Sequence, residues 1–552
     1  MSRKSQPHAG QLFDQRMTNY LGALRHHSVS RRGFVRLGAG AVGIGAASMA
    51  GAKPFLPGVS VLAQDATSFT FALEGDVRGL EPALAYDFAA NPVVCQISEG
   101  LMQFLPDGSM QPLLAESFEQ PDALTYLYKI RTGILFHNGE EMTLDDVIAS
   151  IDRVQDETVA GPMGWMYDPV ESIEKLDDVT LQITLSAPSA LFRYVAATTA
   201  GHVVPASAIE EFGLDLAINP VGTGPYRFVR YDQGSEIELE KNTDYWQEGK
   251  PYFDSVSFKI VPEGTTRIAG MSNDEINSMT QVPPDQIETV QAMENITWHE
   301  VVGYTINMST FRTDQPPFDD VNVRKAFAMA IPYEDIMANI VKSTGVQSFN
   351  STVPPEMPGS AGDQIPAPVF DLEGARALLA ESALPDGFST KYNVIAPNDV
   401  WIPMAIAIQQ AVAELNIDLE IVQMAYDQMI TLQQAGDYEG LMNFQWGSDF
   451  PDASGMLLPL FHSRNIPPQN NHAYYSNPDV DAMLDQQEEE QDADARNQLL
   501  VDIQTAIVED QPACFFEHFK WFMPMSSNLT GYEVTPLWYW DAFCRDLQVI
   551  AE

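Results

Sequence analysis

Short stretches with a two-residue apolar period alternate with longer stretches of helical period along most of this chain. That interleaving is the tightest constraint on its fold. Residues 179–185, VTLQITL, alternate apolar and polar side chains as a half-buried strand does. Residues 236–240 (EIELE) and 256–260 (VSFKI) do the same, and 69–73, 124–130, 419–422 and 441–444 read as further strands. Residues 323–331, 372–380, 404–415 and 495–508 carry amphipathic helical spacing. Thr143 followed by Leu144-Asp145-Asp146 predicts a helix to about Val154, with a capping hydroxyl and acids in its first turn. Residues 92–105 are predicted as a helix ending at the turn Pro106-Asp107-Gly108. Strands and helices mixed in this way give an α/β chain. No repeat of 20–50 residues is apparent.

The N-terminus stands outside that pattern. SRRGFVRLGAGAVGIG (30–45) contains G-x-G-x-x-G at Gly38, Gly40 and Gly43, but no strand precedes it and no acidic residue occurs from Arg31 to Gln64. A dinucleotide site needs both. A basic region, an apolar stretch over 37–52 and a small-residue pattern at Val61-Leu62-Ala63 instead read as an export leader of residues 1–63. The apolar stretch is shorter than the ~20 residues of a membrane span. Ser30-Arg31-Arg32-Gly33-Phe34-Val35-Arg36 resembles the twin-arginine export signal, with Val35 where Leu is usual and Arg36 where Lys is usual. The resemblance implies export of a folded protein by the twin-arginine machinery. An uncleaved anchor is the alternative.

Of the 552 residues, 489 then remain, enough for two or three domains. The first 63 hold eight of the 30 basic and one of the 76 acidic residues, so the rest carries 22 basic against 75 acidic, a net of −53. Phosphate repels such a field, which excludes nucleic acid as a partner. The acids are spread along the chain, as suits a solvated surface in a saline compartment; a cationic ligand is the sharper alternative. Cys95, Cys514 and Cys544 are an odd set, and the mature histidines are scattered singly, so no metal or cofactor is expected. G-x-S-x-G and H-E-x-x-H are absent, which argues against an enzyme; an exported hydrolase is the remote alternative.

Four blocks in order then bring a resemblance. They are residues 97–154 (ISEGLMQFLPDGSMQPLLAESF through to ASIDRV), 219–262 (NPVGTGPYRFVRYDQGSEIELEKNTDYW through to SVSFKIVP), 316–336 (PPFDDVNVRKAFAMAIPYEDI) and 476–516 (SNPDVDAML through to VEDQPACFF). Together they resemble the family 5 extracellular solute-binding proteins, the peptide- and nickel-type receptors of ABC importers. The resemblance implies a two-lobed periplasmic binding protein of the large type II class, with an extra inserted domain and a cleft that closes by hinge motion. Lobe I is expected from 64–106, 222–303 and 518–552, the inserted domain from 107–221 and lobe II from 304–517. It further implies a monomer in the periplasm that passes its solute to an ABC permease in the inner membrane and does no chemistry on it.

The same resemblance carries site residues. In peptide-binding members an Asp after a Gly-Trp-like stretch receives the ligand's α-amino group. Asn443-Phe444-Gln445-Trp446-Gly447-Ser448-Asp449 places Asp449 there, with Trp446 as a flat or cation–π wall. Tyr304 matches an aromatic at the crossing between lobes. Trp401, before a helix, and Trp165 and Tyr167, in the inserted domain, are candidates for the cleft or its mouth. Glu517 stands where relatives carry apolar or Tyr residues and favours a cation. Dipeptide-binding members use an Arg in lobe II, yet between Arg324 and Arg464 the only Arg is Arg376, on a predicted surface helix. Peptides longer than dipeptides are therefore expected. An amine, opine, sugar or metal chelate is the alternative.

Overall fold

The computed structural model describes residues 67–550 except Phe88, Gln281, 349–350, Asp399 and 538–542; the export leader of residues 1–63 lies outside the described residues. The two-residue periods became strands where expected. Thr180–Leu185 buries Leu181, Ile183 and Leu185 and turns Thr180, Gln182 and Thr184 outward. It joins Ala115–Glu119, Thr125–Ile130 and Val170–Lys175 in a four-stranded antiparallel sheet. The helix Leu144–Gln155 covers this sheet. Its first turn is tied by the Asp146 carboxylate, which accepts 2.8 Å hydrogen bonds from both the N–H and the hydroxyl of Thr143.

The main sheet is twelve-stranded among the described residues. One half is built on Ser68–Leu73, which pairs in parallel with Ser255–Ile260, itself followed outward by Glu236–Lys241 and Tyr226–Asp232. Phe69, Phe71, Tyr226 and Phe258 fill its core. The other half is built on Thr305–Phe311, Leu441–Gly447, Phe388–Ile395 and Ile417–Met424. Phe311, Phe318, Phe327 and Tyr392 fill that core, under helices Val321–Met329 and Trp401–Val412. Cys514 belongs to this core and Cys544 to the first, so the two do not meet.

A single long strand, Ala513–Ser526, joins the halves. Its first residues pair with Thr305–Phe311 and its last with Ile296–Val302, and the change of partner falls at 517–520. A further apolar cluster runs from the four-stranded sheet into Phe444, Phe450, Leu457 and Ile503. Among the described residues no helix is long and apolar enough to cross a membrane.

The helix expected over 92–105 stops early. Asn91–Ile97 is helical, Ser98 is extended, and Met102–Phe104 forms a hairpin with Met110–Pro112. Gly100 bridges His202, where a Cβ would lie 2.6 Å from the Ala196 carbonyl oxygen, and the Ser98 hydroxyl lies 3.0 Å from the His202 ring. These outside partners hold the backbone extended. The turn at Pro106-Asp107-Gly108 is kept, but it joins two strands, with Gly108 at φ +81°.

Candidate functional site

The strand Leu441–Gly447 presents two chemistries on its two faces. Asn443 and Gln445 share one face, and Phe444 and Trp446 the other, as strand alternation requires. On the polar face, the Asn443 side chain donates to Asn307 Oδ1 (3.0 Å), and Asn307 Nδ2 donates to Glu517 Oε1 (2.9 Å). Asn307, Gln445 and Glu517 then form part of the wall of a cavity of about 420 Å³, with Trp401, Trp521, Lys520 and Glu74. That volume is of the size that holds small solutes. Glu517 is 4% exposed, its Oε2 has no hydrogen-bond partner, and burial pushes its carboxyl up to about 7. Trp401 is placed by Asn398, whose side chain accepts from the Val400 and Trp401 N–H groups at the start of the helix.

Two residues past the end of that strand sits Asp449. Ser448 N–H donates to Tyr304 O (2.8 Å), which fixes the turn leading into it. Asp449 is buried. One oxygen accepts a 2.7 Å hydrogen bond from the Tyr86 hydroxyl, and the other has no partner. Burial raises its carboxyl to about 7, against the opposing pull of the Tyr86 hydrogen bond. Tyr86 lies 363 positions away in sequence and packs against the same apolar cluster as Tyr304 and Phe450.

Aromatic rings pack against Phe450, the residue after this carboxyl. Phe450 meets Trp165 edge-on at 6.4 Å and Tyr194 at 6.0 Å. Tyr304 is buried against Gly108 and Pro451, and its hydroxyl is pushed up to about 12 by burial and by the nearby Asp107 and Glu356 charges. Trp446 stacks near Phe444 and donates to the Gly455 carbonyl (3.1 Å), on the face away from the cavity.

The seven sequence-derived candidates therefore separate. Asp449, Tyr304, Trp446 and Trp165 gather around the Asp449 turn, and Trp401 and Glu517 line the cavity. Tyr167 joins neither group. It is buried under the four-stranded sheet against Phe192, and its hydroxyl donates to Ala200 O (3.0 Å). Arg376 lies on the surface beside Glu414, as its helix suggested. Sequence reading missed Tyr86, Asn307, Gln445 and Lys520. Neither Asn307, one of several polar residues in the strand TINMSTF, nor Tyr86 is singled out by its own sequence context. Lys520, 2.8 Å from Glu300, is a cation on the cavity wall outside the interval searched for a carboxylate partner. Among the described residues no group of three or more His, Cys, Asp or Glu side chains is placed to hold a metal ion.

Comparison with known proteins comes to the same architecture. The family model described as bacterial extracellular solute-binding proteins, family 5 middle, matches residues 109–468. The glutathione-binding protein GsiB of Salmonella paratyphi A is 29% identical over 502 residues, covering 89% of this chain and 95% of the relative. The periplasmic binding protein DppA of Helicobacter pylori, solved in complex with the peptide STSA, superposes with a TM-score of 0.77 at 25% identity, covering 88% of this chain and 99% of that one. HbpA2 of Haemophilus parasuis superposes with a TM-score of 0.78 at 24% identity, over 87% and 99% of the two chains, a likeness of fold.

Proposed function

The chain belongs to the family 5 bacterial extracellular solute-binding proteins, and from that premise we propose that it captures peptides by their amino end in the cleft between its halves and hands them to an ABC permease. It works as a binding protein, not an enzyme, in the periplasm after export by the twin-arginine route. The lobes expected from 64–106, 222–303 and 518–552 and from 304–517 carry the two walls, with 107–221 as the inserted domain.

The observation that carries the peptide reading is the Asp449 carboxyl. It is buried, holds one oxygen without a partner, and lies where an ammonium would gain a charge-assisted hydrogen bond in a site shielded from water. Peptides longer than dipeptides are favoured because Arg376, the only Arg between Arg324 and Arg464, pairs with Glu414 on the surface and does not line the cavity.

The test is native mass spectrometry of the protein purified from its own periplasm, with the bound species released and sequenced. Peptides of three or more residues support the proposal. A sugar, opine or metal chelate as the sole occupant removes it.

A further inference from the structure

The amino clamp at Asp449 leaves a second buried carboxyl unexplained. Glu517 is 4% exposed, satisfies one oxygen through Asn307, and leaves the other without a partner. An isolated buried carboxylate costs several kcal/mol unless a cation or a proton joins it. The fold nevertheless builds a rail to hold it: the Asn443 side chain donates to Asn307, and Asn307 donates to Glu517. Gly345 packs on the Glu517 side chain from the other flank, where a Cβ would lie 2.7 Å from Glu517 Cγ. The carboxyl is thus oriented, and one face of it is kept for something else.

The surroundings say what that something is. Glu517 lines the 420 Å³ cavity together with Glu74 and the indoles of Trp401 and Trp521. The one lysine on that wall, Lys520, is already balanced by Glu300 at 2.8 Å. His518, next in sequence, donates through Nδ1–H to the Thr305 carbonyl, and burial holds it well below its usual range, so it brings no charge. Glu74 faces the Arg267 guanidinium, which leaves Glu517 as the carboxyl of this wall with no cation beside it, between aromatic faces that also attract one.

We propose that Glu517 is the specificity residue of a second, cationic subsite: the ligand bears a side-chain ammonium or guanidinium that enters this cavity and pairs with the Glu517 carboxylate. The ligand class is a basic peptide. The identification of a peptide rests on the function proposed above, whereas the cationic subsite rests on Glu517 and its cavity alone.

The experiment uses the mature protein and isothermal titration with tetra-alanine amide variants carrying one lysine at each position in turn. Each is matched with norleucine, which keeps the chain and drops the charge. At one position lysine is expected to bind at least tenfold more tightly than norleucine, and in Glu517→Gln that ratio falls to within twofold of one. The ratio cancels any general weakening, and the unsubstituted protein alone already tests it should the variant fold poorly. If peptides do not bind but 1,4-diaminobutane does, in a manner lost in Glu517→Gln, the subsite stands and the peptide reading falls. Equal binding of lysine and norleucine at every position overturns the subsite. So does a lysine preference that survives in Glu517→Gln, or failure of both peptides and diamine to bind.

Discussion

Asp449 shows how much one side chain decides here. Its position was legible in the sequence because N-F-Q-W-G-S-D keeps a recognisable order, but its state was not, since burial and the Tyr86 hydroxyl come from elsewhere in the fold. Replacing it with Asn keeps size and hydrogen bonding and removes the charge. Asp449→Asn is expected to weaken binding of a bound peptide by tenfold or more, as loss of about 1.5–3 kcal/mol for a charged hydrogen bond predicts, measurable by titration calorimetry. The same carboxyl also sets a pH dependence. Its value is raised in the folded protein to about 7 from 3.8, so the folded state holds a proton that the unfolded chain has lost. Stability is then greatest at low pH within this window and falls as pH rises from about 4 to about 7. The upper bound is about 4 kcal/mol, at ~1.4 kcal/mol per pH unit. Denaturant melts of the ligand-free protein at pH 5 and pH 8 are expected to differ in that direction, and Asp449→Asn to narrow the difference. Equal slopes for the two proteins would refute the assignment.

At the scale of elements, periodicity was a good guide wherever the backbone bonds locally or to a neighbouring strand. The strand at 179–185 and the helix after Thr143 were legible because pleat and cap are written within a few residues. The failure at 92–105 has the opposite cause. Gly100, Leu101 and Met102 are extended because partners at Ala196, His202 and Leu113 claim their backbone, and nothing in their own spacing announces it. The turn Gly222-Thr223-Gly224-Pro225 shows the same dependence on distant chain. A Cβ on Gly222 would overlap the Ile97 carbonyl oxygen, and one on Gly224 that of Gln96. Between them Thr223 donates to the buried Glu99 carboxylate, which also accepts from Tyr245 and Trp246. The loop 242–246 is thereby tied down, so Trp246 serves the scaffold. Gly224→Ala is expected to cost about 1–3 kcal/mol as overpacking against rigid backbone. Urea denaturation would show it as a lower midpoint with unchanged slope, while peptide affinity stays within twofold.

The two halves of the main sheet share one long strand and lie beside one large apolar cluster, and that makes closure testable. The halves share the strand Ala513–Ser526, whose partner changes at 517–520, so a small twist there moves one half against the other. Beside the apolar cluster that holds Tyr304 and Phe450, the Tyr86 hydroxyl donates to the Asp449 carboxyl at 2.7 Å. At pH 8, where the Asp449 carboxyl is ionised, a hydrogen bond to a charged group contributes about 1.5–3 kcal/mol, which shifts an open–closed equilibrium by roughly tenfold or more. No local pattern could reveal a contact 363 positions apart, so the resemblance implied two lobes and left this bond unread. Tyr86→Phe keeps the ring in its packing and removes only the donor. Small-angle scattering of the ligand-free variant is therefore expected to give a larger radius of gyration than the unsubstituted protein, and saturating peptide to bring the two together, because the ligand's own contacts to both halves then supply the closing free energy. A ligand-free radius unchanged by Tyr86→Phe would mean that the buried apolar cluster between the four-stranded sheet and Phe450, rather than this hydrogen bond, sets the closed state.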